Sequence, residues 1–212
     1  MKSLKQFLAE DGMRLAIILI FMLGMSVATP YFMQMKNMMN ILQNISLQGI
    51  TAIGMTMVII TGGIDISVGG VMAFSVWVSA SLMKGGLNWG LACLVALGIA
   101  AVCGAINAFS VGVMRIPPMI ASLAMMNMTR GLQTVISRGT TLTGLPDGFL
   151  VIGQGMVFDI IPLPAIFIVL LYILAALFMS KTIMGRNIYA VGGNPEAARV
   201  AGIKNTRVLF FA

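Results

Sequence analysis

The chain of 212 residues is 59% hydrophobic and only 9% charged, and it contains no histidine. Soluble domains carry about 25% charged residues, so this composition indicates a protein embedded in a lipid bilayer. The 13 Lys and Arg residues against 6 Asp and Glu give a net charge of +7, which we assign to cytoplasmic loops rather than to nucleic-acid binding. The absence of histidine excludes histidine–metal sites and Ser-His-Asp catalysis, and we predict no catalytic or metal-binding residue and no bound cofactor.

A spanning helix needs about 20 mostly apolar residues. This criterion predicts an all-α transmembrane bundle of six spans, at residues 13–32, 44–61, 68–83, 90–114, 119–137 and 163–180. The third span is short, which is compatible with a start inside the membrane. The fifth carries Asn127, Thr129 and Arg130, so we expect that side to face protein rather than lipid.

The first thirty residues have two interpretations. Lys2 and Lys5 precede an apolar run, and residues 26–28 faintly resemble a signal-peptidase site. Because Glu10 and Asp11 lie in the leader and further spans follow, we expect an uncleaved first span. A removed signal peptide is the alternative.

The basic residues predict the orientation of the spans. With the N-terminus in the cytoplasm, residues 138–162 form an external loop and residues 181–207 a cytoplasmic loop, all within one transmembrane domain of residues 1–212. Arg130 is counted as intramembrane. Nine basic residues then fall inside, namely Lys2, Lys5, Arg14, Arg115, Lys181, Arg186, Arg199, Lys204 and Arg207. Three fall outside, namely Lys36, Lys84 and Arg138.

A glycine-rich segment joins the second and third spans at residues 61–70. Its glycines permit the positive φ of a helix end, and its acidic or hydroxyl side chain can cap the next helix. A capped turn is one reading; a turn that shapes the pathway or the ATPase-facing surface is the other. No Gly-Lys-Ser/Thr follows, so it is not a phosphate loop. The candidate residues are Gly62, Gly63, Asp65, Ser67 and Gly69.

The fourth span carries a set of small residues. Their three- and four-residue spacing predicts close packing against another helix, with Asn107 hydrogen-bonded across the contact. These residues are Ala100, Ala101, Gly104, Ala105 and Ala108.

Paired prolines, Pro117 and Pro118, separate the fourth and fifth spans. They end one helix and fix the entry to the next. A simple cytoplasmic corner and a broken helix that lines a pathway both remain open.

The segment after the sixth span predicts a short helix. Asn194 is a suitable N-cap, Pro195 a favoured first residue, and Gly202 a suitable C-cap. Such a helix has little to pack on within its own chain, so we favour docking on a partner protein over lying on the membrane surface. The candidate coupling residues are Gly193, Asn194, Pro195, Glu196, Ala197, Ala198, Arg199 and Gly202.

These segments resemble the permeases of ATP-binding-cassette (ABC) importers for ribose, xylose, arabinose and galactose. Residues 61–69 are similar to the family's Thr-Gly-Gly-Ile-Asp-Leu-Ser-Val-Gly, with Ile66 for the leucine. Residues 117–131 resemble its Pro-Pro-Phe-Ile…Leu-Gly-Met-Met…Arg-Gly pattern, and residues 144–149 its outer loop. Residues 185–202 closely resemble its Gly-Arg-x-Ile-Tyr-Ala-Ile-Gly-Gly-Asn-x-x-Ala-x-Arg-x-x-Gly pattern.

The resemblance implies a dimer of permease subunits around one pathway in the bacterial inner membrane. A coupling helix at about residues 194–202 would dock on a separate ATPase that uses ATP, and an extracytoplasmic binding protein would deliver the sugar. Such permeases have about ten spans of roughly twenty residues each. Because an apolar run resumes at residues 208–212, we expect this chain to be the first six spans and the coupling helix of a longer permease.

Two other classes of function are weighed against this one. An ion-coupled secondary transporter places ionisable residues within its spans, and here Asp65 and Arg130 are the candidates. A membrane-embedded enzyme has no support, since the chain lacks histidine and clustered carboxylates. The sequence does not reveal which sugar is carried.

Overall fold

The computed structural model describes residues 12–158 and 160–212, which are mostly helical. Its contacts divide the chain into two units, Met1–Ile45 and Ser46–Ala212. The assignment of all residues to one transmembrane domain stays a prediction. The leader residues Lys2, Lys5, Glu10 and Asp11, and Asp159 of the predicted outer loop, lie outside the described residues.

The first unit contains helix α1, Gly12–Ala28, and the first part of α2, Met35–Ile60. Helix α1 ends before the predicted boundary at residue 32 because Pro30 disfavours helical geometry for the residue before it. Helix α2 begins at Met35 rather than at residue 44. The added residues include Met, Leu and Gln, which are good helix formers. The segment is too polar to be recognised as part of a membrane span, so the prediction began the helix too late.

The second unit holds the end of α2 and all later elements. These are α3 Val68–Lys84, α4 Trp89–Gly112, α5 Pro118–Ser137, α6 Asp147–Gln154, β1 Met156–Val157, β2 Ile161–Pro162, α7 Leu163–Lys181, α8 Ile183–Gly193, α9 Pro195–Val200 and α10 Asn205–Phe211. The strands pair antiparallel within the predicted outer loop.

Three helices of the described chain, α2, α4 and α7, are long and apolar enough to cross a membrane. The shorter α1 and α3 are also apolar. Helix α5 has 20 residues but does not meet the same criterion, because polar side chains interrupt its apolar run. All six predicted spans are therefore helices, as expected for an all-α membrane bundle.

Helix α3 packs against both α4 and α5. It approaches α5 closely at Gly70, where a Cβ would lie 2.7 Å from Thr129 Oγ1 and 3.0 Å from the Met126 carbonyl oxygen. Only a residue without a side chain fits there, so α3 and α5 meet backbone to backbone.

The small residues of α4 do not make the close packing that their spacing predicts. Ala101, Gly104 and Ala105 are exposed, and no heavy atom lies within 4 Å of a Cβ built on Gly104. Within the described residues that prediction is wrong. The helix packs on α3 through its other faces and leaves the small residues beside a cavity.

The two predicted loops lie at opposite ends of the second unit. A Cβ at Gly148 of α6 would lie 2.8 Å from Trp89 Nε1, at the start of α4. At the other end of α4, Thr206 Oγ1 of α10 donates to the Gly112 carbonyl at 3.5 Å. Loops 138–162 and 181–207 thus lie on opposite sides, as the six-span arrangement requires. Which side is cytoplasmic stays a prediction.

Candidate functional site

The chain passes from α2 to α3 through a segment that we name the Asp65 turn, residues 61–67. Gly62 has φ +83°, and the Gly63 N–H donates to the Val58 carbonyl at 3.0 Å. A residue with positive φ, followed by an N–H group that bonds the carbonyl five residues before it, is a common way for a helix to end. The predicted role of the glycines in ending α2 is confirmed at Gly62. Gly69, by contrast, lies inside α3 with open space around it.

The carboxylate of Asp65 is held by Ser67. Its Oδ1 accepts the Ser67 N–H at 2.7 Å and the Ser67 hydroxyl at 2.6 Å. Asp side chains commonly bond the backbone two residues later in turns. The capping prediction therefore needs a correction: Ser67 occupies the N-cap position of α3, but its side chain makes no capping bond. The polar side chains stabilise the turn itself.

Two neighbouring helices hold the Asp65 turn in place. Asn107 Nδ2 of α4 donates to Ser67 Oγ at 3.0 Å, and Ser122 Oγ of α5 lies 3.3 Å from the Ile64 carbonyl. The hydrogen bond predicted for Asn107 is thus present, although its partner is the turn. Asn107 and Ser122 each lie about one helical turn, or ~6–8 Å, inside the end of their own helix. Helix α3 accordingly starts inside the bundle.

A cavity of about 480 Å³ borders the Asp65 turn. Its walls are the turn, the small-residue face of α4, the start of α5, and the segment from α9 to α10. Polar groups reach it from several elements, while alanines and glycines leave its volume open. The residues that carry this arrangement are Gly62, Gly63, Asp65, Gly104, Asn107, Ala108, Pro118, Ser122, Pro195 and Asn205.

Helix α9 has the N-cap that the sequence predicts, but its C-cap position is Ala201 rather than Gly202, which follows directly after it. Asn194 Oδ1 accepts the N–H groups of Glu196 and Ala197, each at 3.0 Å, and Gly202 closes the segment with φ +84°. Glu196 and Arg199 form a 2.7 Å ion pair on the outer face, with side chains 77% and 72% exposed. The residues of this face are exposed.

The inner face of α9 belongs to a hydrophobic cluster that joins several elements. Ala198 is buried with Ile188 and Val191 of α8 and Val208 of α10. Ile60 at the end of α2 packs against the same cluster, as does Phe178 near the end of α7. This cluster thus connects α9 with the ends of α2 and α7.

The remaining pathway candidates are only partly brought together. Pro117 and Pro118 make a corner between two separate helices, with Pro118 facing the cavity. Thr129 is buried, 1% exposed, but Asn127 and Arg130 are exposed on α5. Thr129 thus faces protein as expected, while for Asn127 and Arg130 that expectation stays a prediction. The spacing of three residues places Asn127 and Arg130 on one face of the helix.

Two features of the site were not predicted. One is the close contact of Gly70 with α5. The pair of small residues Gly69-Gly70 is the one feature of the sequence that could have indicated it. The other is α8, where glycines disfavour a helix yet permit contact: Gly192 abuts the Ile60 carbonyl, and a Cβ at Gly185 would lie 2.6 Å from Met179 Cα. Within residues 12–158 and 160–212, no cluster of three or more His, Cys, Asp or Glu could hold a metal ion.

We predict that Asn107→Ala destabilises the protein, because Ser67 loses the donor that connects the turn to α4. A loss of about 1 kcal/mol would lower the melting temperature by roughly 2–4 °C. Thermal unfolding in detergent measures this. Ser110→Ala is the matched control, since Ser110 Oγ donates within α4 to the Ile106 carbonyl. Equal shifts for the two variants would contradict the role of Asn107.

Comparison with known proteins identifies the family. Residues 37–212 match the family described as the permease component of branched-chain amino acid transport systems. No solved structure matches the chain.

Three relatives match nearly the whole chain. The ribose import permease protein of Bacillus subtilis (strain 168) is 39% identical over 193 residues, 90% of this chain and 60% of the relative. That of Escherichia coli (strain K12) is 33% identical over 210 residues, 96% of this chain and 64% of the relative. The galactofuranose transporter permease protein of Escherichia coli (strain K12) is 35% identical over 214 residues, 97% of this chain and 62% of the relative.

The chain therefore spans 60 to 64% of the length of these relatives. On the match over residues 37–212, the chain belongs to the family of permease components of branched-chain amino acid transport systems.

Proposed function

We propose that the chain is part of the permease subunit of an ABC importer for a simple sugar. The observation that carries the proposal is α9, a capped helix with a charged outer face and a buried inner face tied to α2 and α7. That arrangement suits a helix that receives a movement from a partner and passes it to the membrane. The names of the relatives, ribose import and galactofuranose permeases, indicate a sugar as the solute.

The partners follow from the same proposal. A cytoplasmic ATPase binds and hydrolyses ATP and contacts α9, while this chain holds no cofactor. A second permease subunit completes the pathway, and an extracytoplasmic binding protein delivers the sugar. The protein lies in the bacterial inner membrane with its N-terminus in the cytoplasm, so that α8 to α10 face the ATPase.

The coupling interface comprises the exposed part of α9 and its caps. The Glu196–Arg199 pair supplies one charge of each sign, and the Asn194 cap fixes the start of the helix. Ala197 adds little bulk beside them, which leaves room for a partner surface. The proposed contact residues are Gly193, Asn194, Pro195, Glu196, Ala197, Arg199 and Gly202, while Ala198 anchors the helix from its buried inner face.

We assign the pathway to the exposed polar face of α5. Asn127 and Arg130 are costly in lipid, so an exposed position in the spanning region favours contact with a polar solute or with a partner that lines the pathway. Amide and guanidinium groups donate hydrogen bonds that suit sugar hydroxyls. The Asp65 turn lines the cavity together with Pro195 and Asn205 of the coupling segment.

No observation favours the ion-coupled alternative. The Asp65 carboxylate is engaged by Ser67, and Arg130 does not line the cavity that Asp65 lines. The two ionisable candidates therefore form no relay within the described residues.

The first prediction from this function concerns the energy source. Uptake of radiolabelled ribose should continue after a protonophore collapses the proton gradient while ATP is maintained, since the driving force is ATP hydrolysis. Depletion of ATP with the gradient intact should stop it. Uptake that follows the gradient instead would refute the ABC proposal.

The second prediction concerns α9. Glu196→Lys should reduce co-purification of the ATPase subunit, because it replaces one charge of the exposed pair and places two cations three residues apart. Affinity purification from native membranes, with quantitative mass spectrometry, measures the yield. Asp147→Lys is the matched control: Asp147 also follows a proline in the first turn of a short helix, but at the opposite end of the unit. An unchanged yield for Glu196→Lys would count against the docking role.

The third prediction concerns α5. Arg130→Gln should lower sugar uptake by about tenfold, the usual worth of a charge-assisted hydrogen bond, without changing the amount of ATPase bound. Transport assays beside the same co-purification separate the two effects. Arg138→Gln, the same change at the end of α5, should leave uptake nearly unaltered. Equal losses for both would remove Arg130 from the pathway.

A further inference from the structure

We propose that the second unit binds an anionic phospholipid, with one acyl chain in a groove between α2 and α7 and the headgroup at Lys181 and Arg186. The groove has a volume of about 550 Å³. Ala52 and Thr56 line its α2 side, Tyr172, Ala175 and Ala176 its α7 side, and Tyr189 of α8 one end. We call it the α2–α7 groove.

The groove has the length of one membrane leaflet. On α2 its lining runs from Gly49 to Ile60, about 17 Å of helix. Half of the hydrocarbon core of a bilayer is about 15 Å. Helices α2 and α7 touch where Gly49 abuts the Ile168 side chain, and α8 closes the other end, where Gly192 abuts the Ile60 carbonyl. Small side chains keep the space between these contacts open.

The lining suits a hydrocarbon chain better than a sugar. The hydroxyl of Thr56 donates to the Ala52 carbonyl at 2.7 Å, and that of Ser180 to the Ala176 carbonyl at 2.7 Å. Both donors are thus used within their own helices. The other polar groups of the lining are the phenols of Tyr172 and Tyr189, too few to replace the bonds to water that a sugar would lose, whereas an acyl chain loses none.

The charge lies at one end of the groove. Arg186 Nη1 lies 3.4 Å from the Lys181 carbonyl, so its guanidinium sits at the end of α7, and both side chains are exposed. Ser180, which precedes Lys181, and Tyr189, three residues after Arg186 on α8, line the groove. Two cations beside a tyrosine are the typical surroundings of an anionic headgroup at a membrane interface. This charge is the reason to assign a lipid, rather than a second copy of the chain, as the occupant.

The test uses phosphatidylglycerol with a photoactivatable diazirine in its acyl chain. The chain is reconstituted in phosphatidylcholine vesicles that contain a small fraction of the probe, irradiated and mapped by peptide mass spectrometry. Adducts should concentrate on the groove residues of α2 and α7. A phosphatidylcholine probe of the same acyl structure should label them several-fold less. The readout involves neither sugar nor ATP, so it is independent of the transport proposal.

Three variants make the result decisive. Lys181→Gln with Arg186→Gln should lower phosphatidylglycerol labelling by about fivefold for each charge removed. Lys204→Gln with Arg207→Gln, an equal change of charge at exposed residues of a segment that contributes no residue to the groove, should leave it unaltered. Ala176→Leu should reduce labelling by both probes, since it fills the groove. Circular dichroism and gel filtration confirm that each variant is folded.

Three outcomes would overturn the proposal. Adducts could spread evenly over the exposed faces of α7, both probes could label the groove equally, or the groove peptides could cross-link to a second copy of the chain. The last result would assign the groove to an interface between copies.

Discussion

A backbone group inside a bilayer has no water to bind, so every break between helices must satisfy its own N–H and carbonyl groups. The Asp65 turn meets this constraint within the second unit. Its glycine ends α2 with a bond to the Val58 carbonyl, its carboxylate holds Ser67, and Asn107 and Ser122 bond it from α4 and α5. The position of α3 depends on these bonds, and the cavity exists because the turn lies inside the helix ends.

The same turn explains how one segment serves both packing and function. Asp65 is stabilised locally, which costs the protein less than an unpartnered carboxylate would at that depth. The cavity beside it is bordered by Pro195 and Asn205 of the coupling segment. A hydrogen-bonded turn and a partner-facing segment therefore share one open volume, while the cluster around Ile188 connects that segment to α2 and α7.

Much of this organisation could be predicted from the sequence, and the failures have physical causes. Composition predicts the helices, and the caps at Asn194 and Gly202 predict α9, because these signals are local. The start of α2 was missed because good helix formers need not be apolar. The prediction for the small residues of α4 failed because their spacing shows that a close contact is possible, without showing which helix makes it. Whether Asn127 and Arg130 face protein depends on what packs beside α5, and the periodicity of the sequence does not contain that information.

The contact at Gly70 has a consequence for motion. Packed interiors rearrange between discrete states rather than deform smoothly. A Cβ built on Gly70 would lie 3.2 Å from Met126 Cα, so there is no free space between the two backbones. Helices α3 and α5 would accordingly travel as one rigid body, carrying the Asp65 turn with them. Any relative sliding in the second unit would fall instead at boundaries with spare volume, where the alanines and glycines of α4 face the cavity. Gly70 thus fixes α3 to α5, and the small residues beside the cavity mark the boundary at which helices can shift.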